Sequence, residues 1–192
     1  MKPGLRICLA ALLCSASVST LSFAAGSTAQ TAEFQVTGTL LESACYLDPS
    51  SAYQTVSLGD LSTARLSLPG DQGTPVALHF KLQGCIRSKG GREDEQQGSL
   101  VWSAIEPVAA LAFTAVADAD TPELIRVTGA EGFGLRLLDI QGHDVRLGRT
   151  APGWFVSPGD SQLTYYIRPE RTAAALRPGA FRASVNVNLA YD

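Results

Sequence analysis

The most regular feature of this sequence is an alternation of apolar and polar residues with a period of two. In one segment every second residue from 76 to 82 is apolar, and in another every second residue from 163 to 167. Successive side chains of a strand point to opposite faces, so this pattern predicts strands with one buried face. The apolar residues at these positions are Val76, Leu78, Phe80, Leu82, Leu163, Tyr165 and Ile167.

Shorter runs extend the prediction of strands along the chain. They lie at residues 55–58, 100–102, 134–137 and 145–147, the last two forming a hairpin around Gln141 and Gly142. A polar, glycine-containing stretch at residues 89–95 predicts a solvated loop. Residues 173–176 have helical composition but are too few to form more than a turn. Many short strands separated by turns favour an all-β sandwich.

The two ends of the chain carry alternating segments that need sheet partners. From Gly179 to Tyr191 every second residue after Phe181 is apolar, and a strand of that length would span about 40 Å. Near the other end Ala32, Phe34 and Val36 alternate with polar residues. An unpaired strand edge is a template for another chain, so both segments favour recognition by strand addition.

The first residues have the features of a secretory signal peptide. Lys2 and Arg6 precede an apolar run, and small residues follow, which predicts a signal peptide over residues 1–24 with cleavage between Ala24 and Ala25. The apolar run is shorter than the roughly 20 residues of a membrane span, so no membrane insertion is expected. A lipid anchor at Cys14 is the alternative, and the bulky Leu13 before it disfavours that anchor.

Composition and cysteine positions narrow the class of protein. The 192 residues are 45% apolar and 17% charged with a net charge of −3, which suits one globular core and offers no basic surface for nucleic acid. Removing the first 24 residues leaves two cysteines, Cys45 and Cys85. In an exported protein they are expected to form a disulfide.

Three groups of residues resemble the subunits of chaperone–usher fimbriae, of the type 1 and P pilus kind. One is segment 38–45, which ends at Cys45 and is followed by Cys85, and another is the predicted hairpin at residues 134–142. The third is the C-terminus. This family has a glycine fourteenth from the end, then alternating apolar residues and a penultimate aromatic residue, as Gly179 and Tyr191 are here.

The resemblance implies an incomplete immunoglobulin-like β-sandwich that lacks its last strand. In this family a periplasmic chaperone lends a strand to the open groove, and at the outer-membrane usher the N-terminal extension of the next subunit replaces it. The implied partners are therefore the chaperone, the usher and neighbouring subunits, and the implied location is the cell-surface fimbrium, reached through the periplasm. The resemblance assigns the acceptor edge to Gly179, Phe181, Ala183, Val185, Val187, Leu189, Tyr191 and Asp192, whose carboxylate would anchor to chaperone cations.

The resemblance also assigns a donor strand and domain boundaries. The donor residues are Ala32, Phe34 and Val36, within an extension of residues 25–36 that precedes a pilin domain of residues 37–192. Family donors often carry a glycine where Ala32 stands, and residues 26–30 offer little apolar content. The expected role is a structural subunit that supports adhesion, with a minor, adaptor or terminating position left open.

Other functions find less support in the residues. The sequence contains no nucleophile, zinc-ligand or phosphate-loop motif, so we expect no catalysis, metal or cofactor. His79, His143 and the acidic residues near Pro122 are expected to be solvated. The alternative is a self-sufficient secreted sandwich that binds carbohydrate through Trp102 and Trp154, although a tip adhesin would need a lectin domain ahead of its pilin domain. An exported hydrolase is the remaining hypothesis.

Overall fold

The computed structural model describes residues 35–37, 44–94 and 97–191. Leu41–Asp192 forms one compact unit. Its described residues include the helix α1 (Pro49–Ala52), a 3₁₀ turn (Thr63–Arg65) and ten strands: β1 (Tyr46–Leu47), β2 (Val76–Cys85), β3 (Gly90–Asp94), β4 (Ser99–Ser103), β5 (Val108–Ala115), β6 (Ile125–Arg126), β7 (Phe133–Leu138), β8 (Trp154–Phe155), β9 (Gly159–Arg171) and β10 (Val185–Tyr191). No described helix is long and apolar enough to cross a membrane.

The other unit, Met1–Leu40, is described only at residues 35–37. These residues have no regular secondary structure, and Val36 is 81% exposed. The predicted signal peptide, its cleavage site between Ala24 and Ala25, and the donor residues Ala32 and Phe34 lie outside the described residues.

The larger sheet has the strand order β1-β2-β9-β7-β6, and its neighbouring strands are antiparallel. Val76 lies opposite Ile167 and Phe80 opposite Leu163 in the central β2–β9 pair. The structure confirms both strands that the alternation predicts, and β9 extends beyond the predicted run on both sides. This sheet supplies ten of the twenty buried side chains of the core cluster.

The smaller sheet, with order β10-β5-β8, packs over the larger one. Phe113 of β5 meets Phe80 and Tyr165 of the larger sheet edge-to-face, with ring centroids 6.0 and 4.9 Å away. Such aromatic contacts add to the stabilisation from burial. The core therefore lies between two sheets, which confirms the predicted all-β sandwich.

The disulfide between Cys45 and Cys85 is present, as predicted. It joins the residue before β1 to the last residue of β2. Tyr191, at the end of β10, donates its hydroxyl to the carbonyl oxygen of Cys45 at 2.5 Å. The disulfide and the last strand are therefore fixed to each other at one end of the sandwich.

The structure corrects the predicted loop at residues 89–95. Gly90–Asp94 is strand β3, and it pairs with β4 in a two-stranded sheet. Glycines and charges made this segment look like a loop. Its backbone nevertheless forms strand hydrogen bonds, because the apolar strand β4 lies beside it and pairs with it. The strand predicted at residues 100–102 is confirmed as β4.

Two predicted strands are wrong. Residues 55–58 are not a strand, because no described residue pairs with their backbone. Residues 145–147 are not a strand either. The β7 hairpin forms one bridge, Leu138 to Asp144, through hydrogen bonds from the Asp139 N–H to the His143 carbonyl and from the Val145 N–H to the Leu137 carbonyl.

The C-terminal strand is shorter than the predicted run from Gly179. Only Val185–Tyr191 belongs to β10, while Arg177 and Arg182 form isolated bridges with Glu131 and Thr128. Between those bridges the backbones touch: a Cβ on Gly179 would lie 2.2 Å from the Gly129 carbonyl oxygen. The chain thus leaves the end of the larger sheet and crosses to the smaller one, which interrupts the strand.

Candidate functional site: an open groove along the last strand

A long groove opens beside β10 and reaches the core. Its volume is about 1390 Å³, and it runs between residues 176–188 and the segment 51–61. We call residues 52–61 the rim segment. The floor is made by apolar side chains of four strands, namely Leu78, Phe80, Phe113, Phe133, Leu135, Leu137 and Ile167.

One wall of the groove is β10 with the residues before it. The β10 residues pair with β5 from Val185 opposite Ala115 to Tyr191 opposite Ala109. β10 is the edge strand of its sheet, and no described residue pairs with its other side. Because the N–H and C=O groups of a strand alternate between its two sides, this second side presents hydrogen-bonding groups along the groove.

The side chains of β10 follow the groove in the predicted alternation. Val185, Val187 and Leu189 are half-buried against the core, whereas Asn186 and Asn188 are exposed. The β10 wall of the groove is therefore apolar toward the core and polar toward the solvent. An added strand would meet the same pattern, with every second side chain directed at the core.

The rim segment forms the opposite wall, and no strand among the described residues pairs with it. Gln54 fixes its start, since the side-chain amide donates to the carbonyl oxygens of Ser51 and His79 at 3.1 and 3.0 Å. The 3₁₀ turn and the buried Leu66 fix the chain beyond it. Residues 55–61 make no backbone–backbone hydrogen bond with any described residue. Backbone groups without a backbone partner among the described residues thus lie on each side of the groove.

Two sets of contacts lie where the chain enters the wall of the groove. Phe181 stacks edge-to-face on Phe133 with ring centroids 5.0 Å apart. The Arg171 guanidinium donates to the Gly132 and Ala174 carbonyls, both at 2.5 Å, and to the Thr172 carbonyl. These contacts hold the start of the wall against the larger sheet.

The other end of the wall is fixed beyond the groove. Burial raises the pKa of the Tyr191 phenol, and its hydrogen bond to the Cys45 carbonyl opposes that rise. The neutral hydroxyl is therefore the form that is held at the end of β10.

The structure places the predicted acceptor residues in two groups. Gly179, Phe181, Ala183, Val185 and Val187 line the groove. Leu189 and Tyr191 pack on the core beyond it, and Asp192 lies outside the described residues. Sequence reasoning missed the rim segment and the floor side chains of β7 as site residues. Their signal was present in the apolar positions of residues 55–58 and 134–137.

The polar residues considered for chemistry have local roles. The Asp118 carboxylate accepts the backbone N–H groups of Asp120 and Thr121 at 3.0 and 3.1 Å, which closes its own turn. His79 lies near Gln162 and Thr164 on the outer face of the larger sheet. The described residues contain no group of three or more metal-ligating side chains.

Comparison with known proteins matches most of the chain to fimbrial proteins, in agreement with the resemblance seen in the sequence. The family model named fimbrial protein matches residues 34–192. Fimbria A protein of Serratia marcescens is 27% identical over 159 residues, covering 81% of this chain and 82% of that protein. Fimbrial subunit type 1 of Salmonella typhimurium is 28% identical over 163 residues, covering 81% of this chain and 80% of that protein.

Solved structures show the same fold. The P pilus rod subunit PapA is 24% identical, with a TM-score of 0.62, and the match covers 78% of this chain and all of PapA. A subunit from a chaperone–usher pilus structure is 21% identical, with a TM-score of 0.61 and coverage of 85% and 97%. These likenesses confirm the predicted immunoglobulin-like sandwich. By its family match and its fold, this chain belongs to the fimbrial protein family.

Proposed function

We propose that this chain is a structural subunit of a chaperone–usher fimbria and that a strand from another molecule completes its sandwich. The groove beside the unpaired side of β10 is the observation that carries the proposal. The fimbrial family is structural and not enzymatic. On this proposal the chain is exported, received by a periplasmic chaperone, passed to the outer-membrane usher and assembled into a surface fimbria.

The energetics of the groove support completion by a strand. Three or four apolar side chains buried on its floor would contribute roughly 1.5–3 kcal/mol each. Hydrogen bonds to β10 would add about 1 kcal/mol apiece. Together they are comparable to the whole stability of an ordinary domain. The subunit alone should therefore be marginally stable, and a donor strand should stabilise it strongly.

The chain also carries a candidate donor for a neighbouring subunit. Ala32, Phe34 and Val36 are spaced to direct three apolar side chains into a groove of this kind. The extension is residues 25–36, and the domain that it precedes is residues 37–192. The weak apolar content of residues 26–30 fits a minor, adaptor or terminating subunit better than the main repeating one.

A peptide of residues 25–36 tests the groove directly. The mature chain is mixed with this peptide, and thermal unfolding is followed by circular dichroism. Saturating peptide should raise the melting temperature by roughly 10 °C, given 2–4 °C per kcal/mol for a domain of this size.

The matched control is the same peptide with Phe34→Asp, which should leave the melting temperature unchanged. A mature chain that is stable and monomeric, and whose melting temperature neither peptide alters, would overturn the proposal.

A further inference from the structure

A second strand edge, on β4, has no described partner and opens to solvent. β4 pairs with β3 alone in their two-stranded sheet. Leu100 is 59% exposed and Trp102 67% exposed, and they share one face of the hairpin. The opposite face lies toward β8, because Arg92, which pairs with Val101, stacks over the Trp154 ring at 4.9 Å.

Nothing in β4 protects this edge from another strand. Natural proteins guard exposed edges with charged residues, prolines or bulges. The sequence Ser99-Leu100-Val101-Trp102-Ser103 contains no charge and no proline, and its register with β3 is continuous. The Trp102 ring lies over Gly91, where a Cβ would come within 2.8 Å of the indole. The edge is therefore ready to pair with another strand.

The sequence of β4 is self-complementary when two copies run antiparallel. With Val101 opposite Val101 of a second copy, Leu100 lies opposite Trp102 and Ser99 opposite Ser103. The large apolar side chains then meet twice on the outward face, where cross-strand aromatic–aliphatic pairs are favourable. A two-fold axis through Val101 makes the two contacts identical, as a symmetric dimer requires.

The charges around the hairpin favour the antiparallel direction. The turn end of the hairpin carries Arg92, Glu93 and Asp94, a net charge of −1. The other end carries Arg87, Lys89 and Glu106, whose carboxylate accepts from the Ser103 hydroxyl at 3.2 Å, a net charge of +1. An antiparallel pair brings the acidic end of one copy to the level of the basic end of the other. A parallel pair would bring like charges together, which opposes association.

We propose that β4 is a self-association surface whose occupant is β4 of a second copy of this chain, paired antiparallel about Val101. The interaction is separate from the groove, so it can join subunits that already have a complete sandwich. In a fimbria it joins one fibre side by side with another.

Cysteine cross-linking tests the register. Three variants of the full mature chain are made, Leu100→Cys, Val101→Cys and Trp102→Cys, and each is oxidised mildly. Val101→Cys should form a disulfide-linked dimer by itself. Leu100→Cys and Trp102→Cys should cross-link when mixed with each other and at least tenfold less when alone.

Sedimentation of uncross-linked protein tests the affinity. Val101→Lys should weaken dimerisation at least tenfold, whereas Val116→Lys changes a valine that is 58% exposed outside the hairpin and should leave it unchanged. Equal cross-linking by all three cysteine variants, or a wild-type chain that stays monomeric with its groove filled by peptide, would overturn the proposal. Strand exchange in the groove gives no such cysteine pattern, so the two proposals fail separately.

Discussion

β10 and β4 are both uncharged strands with one edge that has no described partner, but the two free edges face different parts of the molecule. Beside β10 is a groove with a floor of core side chains, whereas β4 projects with both of its neighbouring faces partly in water. Filling the first edge buries side chains that belong to the core. Filling the second edge joins two surfaces that are already folded. An unpaired strand edge beside a groove therefore indicates completion of the sandwich by another strand. An unpaired edge that faces water indicates association of two folded domains.

The largest expected effect is a difference in the free energy of unfolding between one substitution at each of the two edges. Val187→Asp would place a carboxylate in the groove wall opposite Phe113 and should lower the free energy of unfolding by about 3 kcal/mol. Val101→Asp makes the same change on β4 and should cost less than about 1 kcal/mol. Denaturant unfolding of both variants measures the difference. Equal losses would show that β10 is no closer to the core than β4.

A smaller effect concerns the strand under the groove and depends on pH. Arg136 of β7 donates two hydrogen bonds to the Glu170 carboxylate, at 2.6 and 2.7 Å, and these hold the pKa of Glu170 below its ordinary value. A lowered folded-state pKa contributes stability above the unfolded-state pKa of about 4.3, and that stability is lost as the pH falls through the folded value. Lowering the pH should therefore destabilise the groove floor before it destabilises the β3–β4 hairpin.

Glu170→Gln measures this contribution. It should lower the free energy of unfolding by about 2 kcal/mol at pH 7 and flatten the pH dependence of that free energy below the unfolded-state pKa of about 4.3. Glu131→Gln is the matched control, because its ion pair with Arg177 is exposed and should contribute less than about 1 kcal/mol. The interpretation fails if the two variants show the same pH profile.

The smallest effect concerns the end of β10. Tyr191→Phe removes the hydroxyl that binds the Cys45 carbonyl and should cost about 1 kcal/mol. Tyr53→Phe, at a residue 95% exposed on the rim segment, should cost nothing measurable. Hydrogen exchange of the β10 amides checks the location of the loss. Faster exchange confined to β4 would contradict the assignment.

Much of the fold was accessible from the sequence because strand alternation records burial on one face. The positions of Phe80, Leu82, Leu163 and Tyr165 predict the two central strands, and the structure buries each of them. The two cysteines that remain after the predicted signal peptide predict the disulfide by elimination. These signals are local or depend on a small set of residues.

The remainder depends on contacts that a local pattern does not contain. Residues 55–58 have the alternation of a strand, but their backbone lies on the groove wall without a described partner. Residues 90–94 have the composition of a loop and become a strand because β4 lies beside them. The Gly129–Gly179 contact interrupts the C-terminal run, and only the tertiary structure brings those residues together.

The hydrogen bond between Tyr191 and the Cys45 carbonyl links the last strand to the redox state of the chain. Disulfide formation with Cys85 fixes Cys45, and Cys45 in turn fixes the end of β10. A reduced chain would present the same β10 sequence without this anchor. If a donor strand completes the groove as proposed, we therefore expect the oxidised chain to accept it more tightly than the reduced chain.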